Sequence, residues 1–399
     1  MKRRRPFTSP GSAVKCTAPS TPPTPRNVDI TQFAKTKTNL NSETLSHSSN
    51  RPSKRSLSQI LKIQNLPTDK WVPLDLGKSE LSLPLTFPTG QTFRWKKTGT
   101  LQYTGVVKSH LVSLKHLENG DVAYQFHPVI CSNSSSISNF TEKEDAKIAL
   151  LDFLNVGIRL ADLWESFAAF DQRFSELAPH LAGARVLRQD PLECLIQFLC
   201  SSNNNIQRIT RMVDYISSLG HYLGSVEGFQ FYQFPSLERL AMISEEELRE
   251  AGFGYRAKYI VGTVKALQLK PGGGVEWLSS LRELDLKEVI NELSTFPGVG
   301  PKVASCIALF SLDQHHAVPV DTHVWKVATR YFMPELAGVR MTPKLCSSVA
   351  EAFVTRYGKY AGWAQTLLFV SELPSQKAII PSEVCYMKEK NLLDKKVIL

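Results

Sequence analysis

The feature that most limits the fold of this chain is a six-residue stretch, Phe296-Pro297-Gly298-Val299-Gly300-Pro301. Before it, Leu286, Val289, Ile290 and Leu293 recur at i, i+3, i+4 and i+7, one apolar stripe of a helix. The glycines and Pro297 then force a tight turn. Pro301 suits the first position of a second helix, because the N–H it lacks has no intrahelical partner there. That helix carries Lys302, Val303, Ala304, Cys306, Ile307 and Phe310. Gly298 and Gly300 allow close backbone approach, and the second helix opens on free N–H groups. The corner is therefore an anion site that needs no basic side chain.

Such a corner suits the charge distribution. The net charge is +10 over 399 residues. Residues 1–60 hold eleven Lys/Arg and two acids, and residues 377–399 hold five Lys and three acids, which leaves residues 61–376 at −1. A nucleic-acid partner fits the total, but the body must grip it through local features rather than through net charge. No run of about 18 apolar residues is present, so no membrane span is expected. The N-terminus, Met1-Lys2-Arg3-Arg4-Arg5-Pro6, lacks the apolar stretch of a secretory signal. The seven cysteines (16, 131, 194, 200, 306, 346 and 385) form no C-x-x-C pair and read as reduced thiols of an intracellular protein, with no metal site.

The length calls for more than one core. Residues 1–65, rich in Ser, Thr and Pro, read as a disordered basic tail. In this tail, Lys2–Arg5 and Lys54-Arg55 read as nuclear-import or phosphate-contacting clusters. Its acid-poor, Ser-rich composition also fits an organelle transit peptide. Residues 66–187 read as an antiparallel sheet domain with flanking helices. Residues 101–104 and 122–126 alternate with period two, and Asn119-Gly120 marks a hairpin turn. From about Glu142 the chain turns helical. Residues 188–275 read as a helical domain opened by Asp190-Pro191, with Ser244 starting another helix and Pro271 to Gly274 as a linker. Residues 276–376 hold the hairpin, and 377–399 form a C-terminal tail. The fold class is α+β, a sheet domain followed by an all-α core.

Downstream of the hairpin lies Val318-Pro319-Val320-Asp321-Thr322-His323-Val324-Trp325, where Asp321 occupies a helix N-cap position. Taken singly, Asp321 is a cap and Lys302 a solvated or phosphate-contacting lysine. Taken together, the hairpin, a lysine two residues beyond it and an aspartate nineteen further on resemble the helix-hairpin-helix DNA glycosylase superfamily. Ser201-Ser202-Asn203-Asn204-Asn205-Ile206, Gly254-Tyr255-Arg256-Ala257, Gly362-Trp363-Ala364-Gln365 and Phe87 to Trp95 (FPTGQTFRW) are similar to the eukaryotic 8-oxoguanine DNA glycosylase/lyases. The resemblance runs in order from about residue 70 to about 375.

The resemblance implies a base-excision enzyme that removes 8-oxoguanine, and formamidopyrimidine guanine, opposite cytosine in double-stranded DNA. It then nicks the abasic strand by β-elimination through a lysine Schiff base, with no cofactor. Lys302 matches the nucleophile and Asp321 the carboxylate that stabilises charge developing on the sugar. Burial is expected to lower the Lys302 pKa toward a neutral amine. Gly90 matches the glycine whose carbonyl accepts the extra N–H of the oxidised base. Cys306 and Phe369 match the residues that sandwich that base, and Gln365 the residue that reads its pairing edge. Asn203, Asn204, Asn205, Arg208, Tyr255 and Arg256 match residues that fill the vacated stack and contact the orphaned cytosine. Gly298, Gly300 and His323 match phosphate contacts. Two positions depart from the family: Leu373-Pro374-Ser375 stands where some members carry an arginine, and Ser305 where many carry an acid. A nuclear monomer, with an organelle pool as the alternative, is the expectation. Three competing readings keep part of this picture: another oxidised or ring-opened purine as substrate, a non-catalytic DNA-binding module, or a glycosylase that activates water.

Overall fold

In the computed structural model, the described residues are 71–128, 138–377 and 380. The expectations placed on the N-terminal tail, on Cys16, Cys131 and Cys385, and on the C-terminal tail beyond residue 380 lie outside them.

Five strands form one antiparallel sheet: β1 (Val72–Pro73), β2 (Lys96–Gly99), β3 (Gln102–Val107), β4 (His110–His116) and β5 (Val122–Phe126), in the order β1-β5-β4-β3-β2. Gly120, at φ +86°, makes the turn into β5 that Asn119-Gly120 predicts. Gly105 on β3 is needed for another reason. A Cβ there would run into the Trp95 ring, so the strand offers that indole a flat seat. Trp95 stacks in turn on Phe87 and Phe153, and the sheet core closes around Leu83, Val112, Leu114, Val122 and Leu150.

Helices follow: α1 (Ser138–Phe153), α2 (Leu160–Ala168), α3 (Gln172–Leu177), α4 (Pro191–Leu199), α5 (Ile206–Ser217), α6 (Leu237–Ala241), α7 (Glu245–Glu250), α8 (Arg256–Gln268), α9 (Val275–Ser280), α10 (Leu286–Leu293), α11 (Pro301–Ser311), α12 (Thr322–Tyr331), α13 (Pro343–Tyr357) and α14 (Ala361–Glu372). Their starts follow capping chemistry. Asp190, Ser244 and Asp285 each accept a bond from the backbone N–H three residues on, and Ser244 with Glu247 completes a reciprocal box. A second core fills the helical body around α4 and α11. Leu160, Phe167, Phe174 and Leu177 of α2 and α3 belong to it, as do Leu85 and Phe93.

Two local features differ from the sequence reading. Strands β6 (Tyr222–Val226) and β7 (Phe229–Tyr232) pair as a hairpin inside the helical region, where no strand is expected. Glu227-Gly228, at φ +47° and +80°, forms its turn. The glycine run at 272–274 is no loose linker. A Cβ on Gly274 would collide with the Leu267 carbonyl, so this turn is packed against the end of α8. Among the described residues, no helix is long and apolar enough to cross a membrane, and no cluster of His, Cys, Asp and Glu could hold a metal ion.

Candidate active site

The hairpin turn owes its shape to contact with α8. Gly298 adopts φ +80°, and a Cβ there would lie 2.6 Å from the Tyr259 ring, so position 298 admits only glycine. Thr263 donates to the Pro297 carbonyl at 3.1 Å. Gly300 is the N-cap of α11; it supplies no side-chain cap, and the space where a Cβ would stand is open to 4 Å. The first turn of α11 thus leaves its N–H groups open, as an anion site requires.

Lys302 lies in that turn and Cys306 one turn later, on the same face. Asp321 caps α12: its Oδ1 accepts from the His323 and Val324 N–H groups at 2.9 and 3.0 Å. One carboxylate oxygen is thereby fixed, and Asp321 lines the cavity. Gln365 and Phe369 are one turn apart on α14, Gln365 buried and Phe369 half-buried. Gly90, at φ +85°, ends the irregular turn at Phe87–Thr89. These residues come from four separate stretches of chain and line one cavity of about 60 Å³, closed further by Thr89, Gln91, Phe198, Phe310, Pro319, Val324 and Thr366. A larger groove of about 1150 Å³ opens between α10 and α13 and shares Lys302, but none of Asp321, Gly90, Gln365 or Phe369. The residues matched to the chemistry and to base recognition gather in the smaller one.

Electrostatics at Lys302 differ from the expectation of a lowered pKa. Burial does push its ammonium toward neutrality. The fields of Cys306 and Asp321 and a hydrogen bond to Cys306 oppose that and outweigh it, so the amine is held above its ordinary value. Burial pushes the Cys306 thiol up, against the pull of Lys302. The Lys302 Nζ also lies 5.7 Å from the centre of the Phe198 ring, a cation–π contact. Phe198, stacked on Phe310 at 5.6 Å, is a wall residue that the sequence reading missed. On a helix with every residue buried, no periodicity separates a cavity aromatic from a core one.

The asparagine loop sits beside this cavity. The Ile206 Cδ1 is 3.7 Å from where a Gly90 Cβ would be, and Ile206 is exposed. Asn203 is exposed at φ +45°, and Asn205 caps α5 through the Arg208 N–H. Asn204 is turned inward, donating to the Cys200 carbonyl at 2.9 Å and accepting from the Asn205 N–H. Arg208 is exposed and bonds the Gly252 carbonyl at 3.1 Å. Arg256 is 2% exposed and commits its guanidinium to the Ser202 and Asn203 carbonyls, with Tyr255 bonding Ser202 from the other side. Arg256 thus holds the loop, while Asn203, Arg208 and half-exposed Tyr255 face solvent. His323 is exposed, its ring edge-on to Phe369 at 5.8 Å.

The Gly90 segment is fastened by side chains the sequence reading did not single out. Gln91 donates to the Thr86 and Arg185 carbonyls, both at 2.9 Å, and accepts from the Leu187 N–H at 2.9 Å. Arg94 pairs with buried Glu193 at 2.5 Å.

Comparison with known proteins agrees with this architecture. Residues 73–195 match the 8-oxoguanine DNA glycosylase N-terminal domain, and residues 196–352 the HhH-GPD superfamily of base excision DNA repair proteins. The chain is 64% identical over 322 residues to an N-glycosylase/DNA lyase of Arabidopsis thaliana, across 80% of this chain and 85% of that one. It is 31% identical over 337 residues to the N-glycosylase/DNA lyase of Saccharomyces cerevisiae, across 76% and 86%. The crystal structure of Clostridium acetobutylicum 8-oxoguanine glycosylase/lyase, in complex with double-stranded DNA containing cytosine opposite to 8-oxoG, matches with a TM-score of 0.62 at 26% identity, across 76% of this chain and 98% of that one. The chain belongs to the eukaryotic 8-oxoguanine DNA glycosylase family, the N-glycosylase/DNA lyases of base excision repair.

Proposed function

We propose that this protein excises 8-oxoguanine, and formamidopyrimidine guanine, opposite cytosine in double-stranded DNA and then cuts the abasic strand, with Lys302 as nucleophile. The observation that carries the reading is the convergence of Lys302, Asp321, Cys306, Gln365, Phe369 and Gly90 on one cavity. A DNA-binding module alone has no use for an enclosed amine beside a carboxylate. An enzyme that activates water has no use for a lysine there.

The neutral Lys302 amine attacks the sugar C1′, and the bond to the base breaks with its electron pair leaving on the base, which gains a proton. Asp321 stabilises the positive charge on the sugar during this step. The ring then opens to an iminium between Lys302 and C1′. That iminium acidifies the C2′ proton, and its removal expels the 3′ phosphate. Because the free enzyme favours an ammonium, the proton has to leave when DNA is bound. Cys306 and Asp321 are the groups that hold that proton in the free protein.

Discrimination falls to the Gly90 carbonyl, which pairs with the ring N–H that guanine lacks, while Gln365 reads the pairing edge. Asn203, Asn205, Arg208 and Tyr255 fill the gap and meet the cytosine, with Asn204 and Arg256 shaping that loop. Gly298, Gly300 and His323 take the backbone phosphates, consistent with a body of net charge −1. The protein acts as a monomer, and its basic N-terminal clusters direct it to the nucleus.

Borohydride reduction in the presence of DNA carrying one 8-oxoguanine tests the nucleophile. Wild type forms a covalent complex, and Lys302→Gln binds the same DNA yet forms none. Efficient trapping by Lys302→Gln assigns the chemistry to another amine.

A further inference from the structure

The Gly90 carbonyl can discriminate only if it is held still, and a glycine at positive φ has no side chain with which to anchor itself. Its anchorage comes from the residues that follow. The Gln91 carbonyl accepts from the Gln189 side chain at 2.6 Å, and the Phe93 N–H donates to the Gln197 side chain at 2.9 Å. Gln197 in turn donates to Gln189 at 3.3 Å and to Glu193 at 3.2 Å. Gln91, Gln189 and Gln197 are each 2% exposed or less. Three buried amides in one chain are costly to desolvate and persist only when their bonds specify a geometry.

Gln189 is the junction of this chain. Its backbone N–H donates to the Phe310 carbonyl at 2.8 Å, on the helix that carries Lys302 and Cys306. Its side chain holds the backbone one residue beyond Gly90. A single residue therefore fixes the distance between the helix of the nucleophile and the loop that reads the base. We infer that Gln189, with Gln197, is a specificity-determining positioning residue: it sets where the Gly90 carbonyl stands relative to the Lys302 helix, so that the N–H of an oxidised purine meets an acceptor and guanine does not. Neither glutamine touches the base. The inference rests on the reading of Gly90 as the discriminating acceptor.

The test separates recognition from chemistry. Gln189→Met keeps the bulk of the side chain and removes the donor to Gln91. In a Lys302→Gln background, which leaves DNA uncut, affinities are measured for duplexes with 8-oxoguanine or guanine opposite cytosine. The ratio of the two should fall about tenfold, the effect of one misplaced hydrogen bond. With Lys302 intact, cleavage of DNA that already carries an abasic site, which needs no base recognition, should stay within about twofold of wild type. A purely structural role would lower both activities by the same factor, and that result overturns the inference, as does an unchanged affinity ratio. Should Gln189→Met fail to fold, Gln197→Met, which leaves the Gln189 bond to the Gln91 carbonyl in place and releases the Phe93 N–H together with the Gln197 bonds to Gln189 and Glu193, is read the same way. Gly90→Ala is the companion. If it lowers the ratio and neither glutamine variant does, the positioning role is wrong and the reading of Gly90 stands. If none of the three changes the ratio, both fall.

Discussion

One wall of the cavity is a helix, α11, and the opposite wall is irregular backbone, residues 87–95. In α11, every residue from Cys306 to Ser311 is buried, and its placement comes from apolar packing against α4 and α10. Lys302 and Cys306 face one way because helix geometry puts i and i+4 together. The Gly90 wall has no repeating hydrogen bonds of its own. Gln91, Gln189, Gln197 and the Arg94–Glu193 pair supply them from the sides. Lys302 and Cys306 stand at a fixed separation that helix geometry delivers without outside support, and Asp321 is fixed by capping the next helix. Reading a base edge needs a bare carbonyl aimed inward, which no helix or strand interior can offer, because its carbonyls are already bonded. The two walls should therefore break under different mutations.

The largest expected effect is on the helical side, at the cap of α12. Asp321→Asn keeps a good N-cap, since asparagine caps about as well as aspartate, and removes only the charge. Stability should change by under about 0.5 kcal/mol, while the single-turnover rate of base excision falls by about 10²-fold or more. Thermal denaturation and a quenched time course on the same preparation measure both. A rate within a few-fold of wild type would make Asp321 a cap and nothing more.

Next comes a direct contrast of the walls by stability. Gln91→Leu replaces a side chain of similar size but leaves the Thr86 and Arg185 carbonyls and the Leu187 N–H buried without that partner. The loss should be about 2–4 kcal/mol. On the other wall, Ile307→Val removes one methylene from a fully buried site and should cost about 1 kcal/mol. Chemical denaturation of both variants decides the order. Equal losses would mean that the Gly90 segment is held by apolar contact after all.

The same contrast explains what the sequence alone could deliver. The hairpin, the caps at Asp190, Ser244, Asp285 and Asp321, and the Asn119-Gly120 turn are all set by residues within four positions of one another, so local rules find them. The family resemblance then brings Gly90, Cys306, Gln365 and Phe369 to one place. The glutamine chain is out of reach of any local rule, because Gln189 and Gln91 lie 98 positions apart and a glutamine in a sequence gives no sign of being buried. The bracing bonds of Arg256 to the Ser202 and Asn203 carbonyls, more than fifty positions away, are out of reach for the same reason. The β6–β7 hairpin did carry a signal, Glu227-Gly228 followed by the aromatic run Phe229-Gln230-Phe231-Tyr232, which helical surroundings obscured. The charge on Lys302 could not be foreseen either. Burial is a property of composition, but the opposing fields of Cys306 and Asp321 depend on where two other side chains point.

The smallest effect, and the one that most sharpens the account of the helical wall, is a shift in pH dependence. Lys302 must be neutral to attack, so the rate of cutting a preformed abasic site rises with pH until that amine has lost its proton. Burial pushes its pKa down, while Cys306 and Asp321 together push it further up. Cys306→Ala leaves the burial and Asp321 in place and removes the Cys306 field and hydrogen bond. The pKa of Lys302 must then fall, and the limb of the pH–rate profile must move to lower pH, raising the rate near pH 7. The sign for stability runs the other way. A lysine whose pKa is raised on folding contributes stability that is fully present below its unfolded value, about 10.4, and is lost as pH rises through the folded value. Cys306→Ala should therefore lose a small increment of stability at neutral pH, besides the cost of the missing thiol, and the increment should disappear at strongly alkaline pH. A limb that stays in place would show that Cys306 does not hold the proton on Lys302. A limb that moves to higher pH would show instead that the thiol helps to take the proton away.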